Sequence, residues 1–72
     1  MNLNKLSRKI AYLLRHAPGF TDANGYADVS KLIAELQKTY PEFRRDTLDE
    51  IVQIDEKGRY SYDESGQRIR AN

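Results

Sequence analysis

Arg15-His16, an arginine followed by the chain's only histidine, and Arg70, a second arginine far along the chain, are the side chains best suited to chemistry on an anion. A guanidinium presents a planar fork of N–H donors that matches a phosphate dianion, and imidazole is the side chain whose ordinary titration lies near neutral pH. Each also has a purely structural explanation. Cations in the last turn of a helix are favoured by its macrodipole, and Arg70 reads first as an exposed strand cation. With no cysteine and one histidine, neither thiolate nor multi-histidine metal ligation is available. No metal site is expected.

The formal charge of +1 conceals a segregation of charge along the chain. Residues 1–16 carry Lys5, Arg8, Lys9 and Arg15 with no acid, or +4. Residues 17–56 carry four bases against nine acids, or −5, and residues 57–72 carry Lys57, Arg59, Arg68 and Arg70 against Asp63 and Glu64, or +2. If the two basic ends meet, they form a local positive surface able to hold phosphate while the total charge stays near zero. Patchy charge without a ligand is equally common on protein surfaces.

The elements that must bring these residues together follow from periodicity. Asn4 to Ala17 places Leu3, Leu6, Ile10, Leu13, Leu14 and Ala17 on one arc of a helix, with Asn4 as its expected cap and Pro18-Gly19 as its stop. Lys5, Arg8, Lys9, Tyr12, Arg15 and His16 fall on the opposite, outward arc, where Tyr12 is a plausible stacking partner for a base. Asn24-Gly25 marks a tight turn, and Tyr26-Ala27 a short extended piece. Asp28 is the expected N-cap of a second helix carrying Val29, Leu32, Ile33 and Leu36, which ends at Tyr40-Pro41. Thr47-Leu-Asp-Glu50 reads as a capping box opening a third helix that buries Leu48, Ile51 and Val52. After Lys57-Gly58 the period changes to two. Arg59 to Tyr62 and Arg68 to Ala71 form a β-hairpin in which Arg68 and Arg70 share a face and Ile69 points the other way. Helix, short strand, helix, helix and hairpin is the chain order of a winged helix, so an α+β winged-helix domain spanning 1–72 is expected. By analogy alone, that fold suggests nucleic acid.

Composition narrows the alternatives. Seventy-two residues allow one small core and leave little interior for a deep cofactor pocket. No apolar run approaches the roughly 20 residues of a spanning helix, so a soluble, cytoplasmic monomer without membrane contact is expected. A winged helix that reads DNA usually places its third helix in the major groove. Here that helix and its edges carry Asp46, Asp49, Glu50, Asp55 and Glu56, which argues against insertion between phosphates. The positive surface is instead the first helix with the hairpin. Phosphate handling fits it better than base reading does.

The run from Leu6 to Pro18 containing Leu14-Arg15-His16-Ala17-Pro18, with Asp22 to Val29, Thr47 to Val52, Arg59-Tyr60 and the closing Ile69-Arg70-Ala71-Asn72, resembles the N-terminal lobe of the KptA-type RNA 2′-phosphotransferases. The likeness runs nearly end to end, and its two motifs are specific when found together. It implies an enzyme that removes an internal RNA 2′-phosphate, such as that left by tRNA splicing. The phosphate attacks the ribosyl carbon of NAD and expels nicotinamide. Transesterification then releases an ADP-ribose cyclic phosphate and leaves a 2′-hydroxyl. On this resemblance Arg15, His16 and Arg70 match three of the family's four essential active-site positions, binding and orienting the 2′-phosphate. The fourth is an arginine in a C-terminal, ADP-ribosyltransferase-like lobe that binds NAD. That lobe is absent from this chain, which is therefore expected to be inactive alone. Lys5, Arg8, Lys9, Tyr12, Arg59 and Arg68 are the expected contacts to RNA. Tyr26 stands where tryptophan is common, and the segment from Pro18 to Asp22 is shorter than usual. The competing expectation is a free-standing winged-helix module that binds nucleic acid or a protein partner without catalysis.

Overall fold

The computed structural model describes residues 2–72. Helix α1 spans Leu3–Arg15 and buries Leu6, Ile10, Leu13 and Leu14, the stripe expected from the three-and-four spacing. Its cap is Asn2 and not Asn4. The Asn2 carboxamide oxygen accepts from the backbone N–H of Asn4 at 3.0 Å and of Lys5 at 3.2 Å. Asn4 is thus inside the first turn, and the helix ends at Arg15, two residues before the expected Ala17, with His16 as its C-cap. Lys5, Arg8, Lys9, Tyr12, Arg15 and His16 are all exposed, so the outward arc forms as its periodicity requires.

Strand β1 spans Tyr26–Asp28, helix α2 Val29–Gln37, helix α3 Arg45–Ile54, strand β2 Tyr60–Tyr62 and strand β3 Arg68–Ala71. The chain is therefore mixed α+β, in the expected element order. The strands form one three-stranded sheet in the order β1-β3-β2, both pairings antiparallel. Ala27, Ile69 and Tyr62 lie in one row across it, and Ala27 and Ile69 are buried. In the adjacent row Tyr26, Arg70 and Ser61 point to the other side, because successive residues of a strand alternate between faces.

At the other two helix starts the expected capping hydrogen bonds do not form. Asp28 occupies the N-cap of α2 in extended backbone, but its carboxylate makes no capping hydrogen bond and lies 3.9 Å from Arg68 Nε. The Thr47–Glu50 capping box fails because α3 starts at Arg45, two residues before Thr47. The Arg44 carbonyl already accepts from the N–H groups of Thr47 and Leu48 at 3.0 and 3.2 Å, which places Thr47 inside the first turn. An Arg45–Asp49 pair at 2.9 Å, spaced i to i+4, extends the helix backward. The core also takes in Phe43, wholly buried in the connection from α2 to α3, which periodicity does not reveal.

Several aspartates sit below their ordinary carboxylate range. Asp22 is lowered chiefly by the Tyr26 N–H, Asp49 by the Tyr62 hydroxyl and then by Arg45, Asp55 by Arg59, and Asp63 by the Ser65 hydroxyl. Each fold contact favours the ionised form, so the unfolded chain takes up protons first as pH falls. The thermal midpoint should hold from neutral pH down to about 5, then fall progressively below about 4 as these groups protonate. Circular-dichroism melts across that range test this, and a midpoint that rises on acidification would contradict it.

Candidate phosphate and RNA site

Arg70 occupies the central strand of the sheet, on the face opposite the core. Its guanidinium carbon lies 5.5 Å from the centre of the Tyr26 ring, within cation–π range. Its Nε is buried and has no hydrogen-bond partner. Such orphaned buried donors are rare and call for a cause, whether local strain, an ordered water, an ion or a functional role. Among the described residues no carboxylate pairs with Arg70, nor with Arg15, Arg8, Lys5 or Lys9.

The two basic ends of the chain meet. Arg15, in the last turn of α1, donates from Nη2 to the Asn72 carbonyl oxygen at 3.3 Å, two residues beyond Arg70. Asn72 is itself clamped. Its side-chain Nδ2 donates to the Gly58 carbonyl at 2.9 Å and to Ser61 Oγ at 2.7 Å, and its backbone N–H donates to the Arg59 carbonyl at 2.7 Å. A second link ties α1 to the sheet, because the Tyr60 hydroxyl donates to the Ser7 carbonyl at 2.8 Å. The end of the first helix is thereby registered against the end of the last strand. His16 adjoins Arg15 and is exposed, with its ring centre 6.1 Å from that of Tyr12.

Not every expected cation is equally free. Arg59 pairs with Asp55 at 2.8 Å, and Arg68 faces Asp22 at 3.3 Å and Asp28 at 3.9 Å. These two arginines therefore bring their own counter-charges to the hairpin side. The Lys9 edge of the α1 arc lies near enough to Glu35 to add to the effect of Lys38 in holding that carboxyl below its usual range. Of the expected contacts, Arg15, Arg8, Lys5, Lys9 and Arg70 form no ion pair among the described residues. On α3, Asp49 is engaged by Arg45 and Tyr62, while Asp46 and Glu50 remain exposed, so that helix keeps an anionic surface unsuited to phosphate.

Hollows of about 240, 320 and 360 Å³ lie on the surface, and Arg15, His16 and Arg70 line none of them. Among the described residues, no group of three His, Cys, Asp or Glu side chains is placed to hold a metal. No helix there is long and apolar enough to cross a membrane.

Comparison with known proteins then decides the kinship. The family model described as "RNA 2′-phosphotransferase, Tpt1 / KptA family" matches residues 1–72. The chain belongs to the RNA 2′-phosphotransferase family. A protein of Pseudomonas syringae pathovar tomato with the name "Probable RNA 2′-phosphotransferase" is 39% identical over 72 residues, covering 94% of this chain and 38% of the relative. A protein of the same name from Pyrococcus horikoshii is 39% identical over 71 residues, covering 93% of this chain and 39% of the relative. One from Fusobacterium nucleatum is 38% identical over 71 residues, covering 93% and 40%. The chain thus spans about two fifths of the length of the curated relatives it matches. The resemblance read from the paired motifs is borne out at the level of the 2′-phosphotransferase family.

Proposed function

We propose that this chain is the RNA-facing, winged-helix lobe of an NAD-dependent RNA 2′-phosphotransferase, and that Arg15, His16 and Arg70 are its share of the 2′-phosphate site. The observation that carries this reading is the meeting of the chain's ends. The Arg15 side chain reaches the Asn72 carbonyl, next to a strand on which Arg70 has no carboxylate partner and a buried, unpaired Nε. The fold reading is supported by the element order and by the strand order β1-β3-β2, the arrangement in which a hairpin wing pairs with the short first strand.

In this reading Arg70 and Arg15 grip the phosphate oxygens from two elements, and His16 adds a donor at the end of α1. Lys5, Arg8 and Lys9 hold the flanking backbone, with Tyr12 available to a neighbouring base. Arg59 and Arg68 shape the hairpin through their aspartates more than they contact RNA. NAD accepts the phosphate in the complete enzyme and is held by a C-terminal, ADP-ribosyltransferase-like lobe outside this chain. This lobe alone binds the 2′-phosphorylated RNA without turning it over.

The test is a titration of the isotope-labelled chain with a short RNA bearing an internal 2′-phosphate and with the same RNA bearing a 2′-hydroxyl. Larger shifts at Arg15, His16 and Arg70 with the phosphorylated RNA are expected. Equal responses would instead indicate a module that binds RNA backbone generally.

A further inference from the structure

Resting on that phosphate-site reading, we propose that Tyr26 is a positioning residue for Arg70, its ring face setting the guanidinium toward the 2′-phosphate without neutralising it. Tyr26 and Arg70 are direct partners in the antiparallel register of β1 and β3, so their side chains leave the sheet on the same face. The guanidinium carbon stands 5.5 Å from the ring centre. Across the other pairing Arg70 faces Ser61, whose hydroxyl is already engaged by the Asn72 carboxamide at 2.7 Å. The aromatic ring is therefore the main restraint on the arginine head.

The choice of a ring over an acid matters for an anion site. A carboxylate beside Arg70 would orient it equally well but would cancel the charge that the phosphate needs. A π-face attracts the cation through its quadrupole and leaves the N–H fork free. The nearby acids are engaged elsewhere. Asp22 accepts from the backbone N–H groups of Asn24 and Tyr26, both at 2.9 Å, which fixes where the Tyr26 ring starts. Its second oxygen faces Arg68 at 3.3 Å, and Arg68 also faces Asp28. Arg68 thus faces two carboxylates, while the buried Arg70 Nε has no hydrogen-bond partner.

The experiment measures, for the wild-type chain and for Tyr26→Phe, Tyr26→Trp and Tyr26→Leu, the affinity ratio between a short 2′-phosphorylated RNA and its 2′-hydroxyl counterpart. It also records the Nε–H resonance of Arg70 in the free proteins. Phe and Trp should keep the ratio and a ring-shifted Nε–H signal, because the interaction uses the ring face. Leu should lower the ratio about five- to ten-fold and abolish the ring shift, as expected for one cation–π contact of ordinary strength. Tyr26→Ile, which keeps the strand propensity, serves as a second non-aromatic variant should Leu perturb folding. A Leu or Ile variant with the wild-type ratio overturns the positioning role alone. So does a Phe variant as impaired as Leu. A wild-type chain with no preference for the 2′-phosphate overturns the phosphate site itself, and the positioning role with it.

Discussion

Arg70→Ala should lower the chain's affinity for a 2′-phosphorylated RNA about ten- to a hundred-fold while barely changing its affinity for the 2′-hydroxyl form. Hydrogen bonds to charged groups contribute about 1.5–3 kcal/mol each, and every 1.4 kcal/mol is a factor of ten. The guanidinium has no carboxylate partner to lose and its Nε has no acceptor, so removing it costs the fold only the contact with the Tyr26 ring. The thermal midpoint should accordingly stay close to that of the wild type. Arg70→Lys should fall between the two, since lysine keeps the charge but lacks the planar fork and the stacking on Tyr26. In a longer chain carrying both lobes, alanine at this position should slow phosphate removal by about a hundred-fold or more, as loss of a preorganised charged donor does elsewhere. Isothermal titration with the paired RNAs checks the binding claim. An alanine variant that still prefers the phosphorylated RNA would remove Arg70 from the site.

Phe43→Ala should come close to unfolding the chain. The ring is fully buried, and its backbone is pinned on both sides. The Phe43 carbonyl accepts from Gln37 Nε2 at 2.7 Å, and its N–H donates to the Tyr40 carbonyl at 2.9 Å. Those bonds hold the backbone against collapse into the space the ring would leave, so a cavity should persist. Truncating a buried phenylalanine costs about 3–5 kcal/mol. At about 0.05–0.15 kcal/mol per residue, a domain of 72 residues has about 4–11 kcal/mol in total. Urea denaturation should show the midpoint move toward zero denaturant, with a measurable unfolded fraction in buffer at the lower end of that range. A loss under about 1 kcal/mol would mean that the connection from α2 to α3 contributes little to the core.

The parts of this molecule that depend on local periodicity were legible from residues alone. Leu6, Ile10, Leu13 and Leu14 must share one face of a helix, which forces Arg8, Tyr12, Arg15 and His16 to share another, and the structure shows both. Alternation around Ile69 likewise placed Arg68 and Arg70 on one side of a strand. Helix caps were not legible. A cap depends on which residue begins the helix, and long-range contacts set that residue. Asn2 and Asn4 are chemically equivalent candidates, and Thr47 lost its role when Arg45–Asp49 pairing and the burial of Phe43 started α3 earlier. Phe43 itself lies outside any periodic pattern, so nothing local distinguishes it from a surface aromatic in a loop.

The different fates of two arginines on one strand face separate local from tertiary information most clearly. Arg68 and Arg70 are equivalent by alternation, yet Arg68 faces Asp22 and Asp28 while Arg70 lies over Tyr26 with no acid. Antiparallel pairing with β1 decides this, because it sets Asp28 opposite Arg68 and Tyr26 opposite Arg70, and register is a property of two distant segments. Residue types and spacing determined by themselves the family motifs, the basic outward arc of α1 and the alternating hairpin, since each depends on neighbours within a few positions. Only the tertiary structure decided that Arg15 reaches Asn72, that Tyr26 underlies Arg70, and which cations keep their charge unpaired. Those outcomes depend on segments up to 57 residues apart being brought together, and that happens only when the shared core is buried.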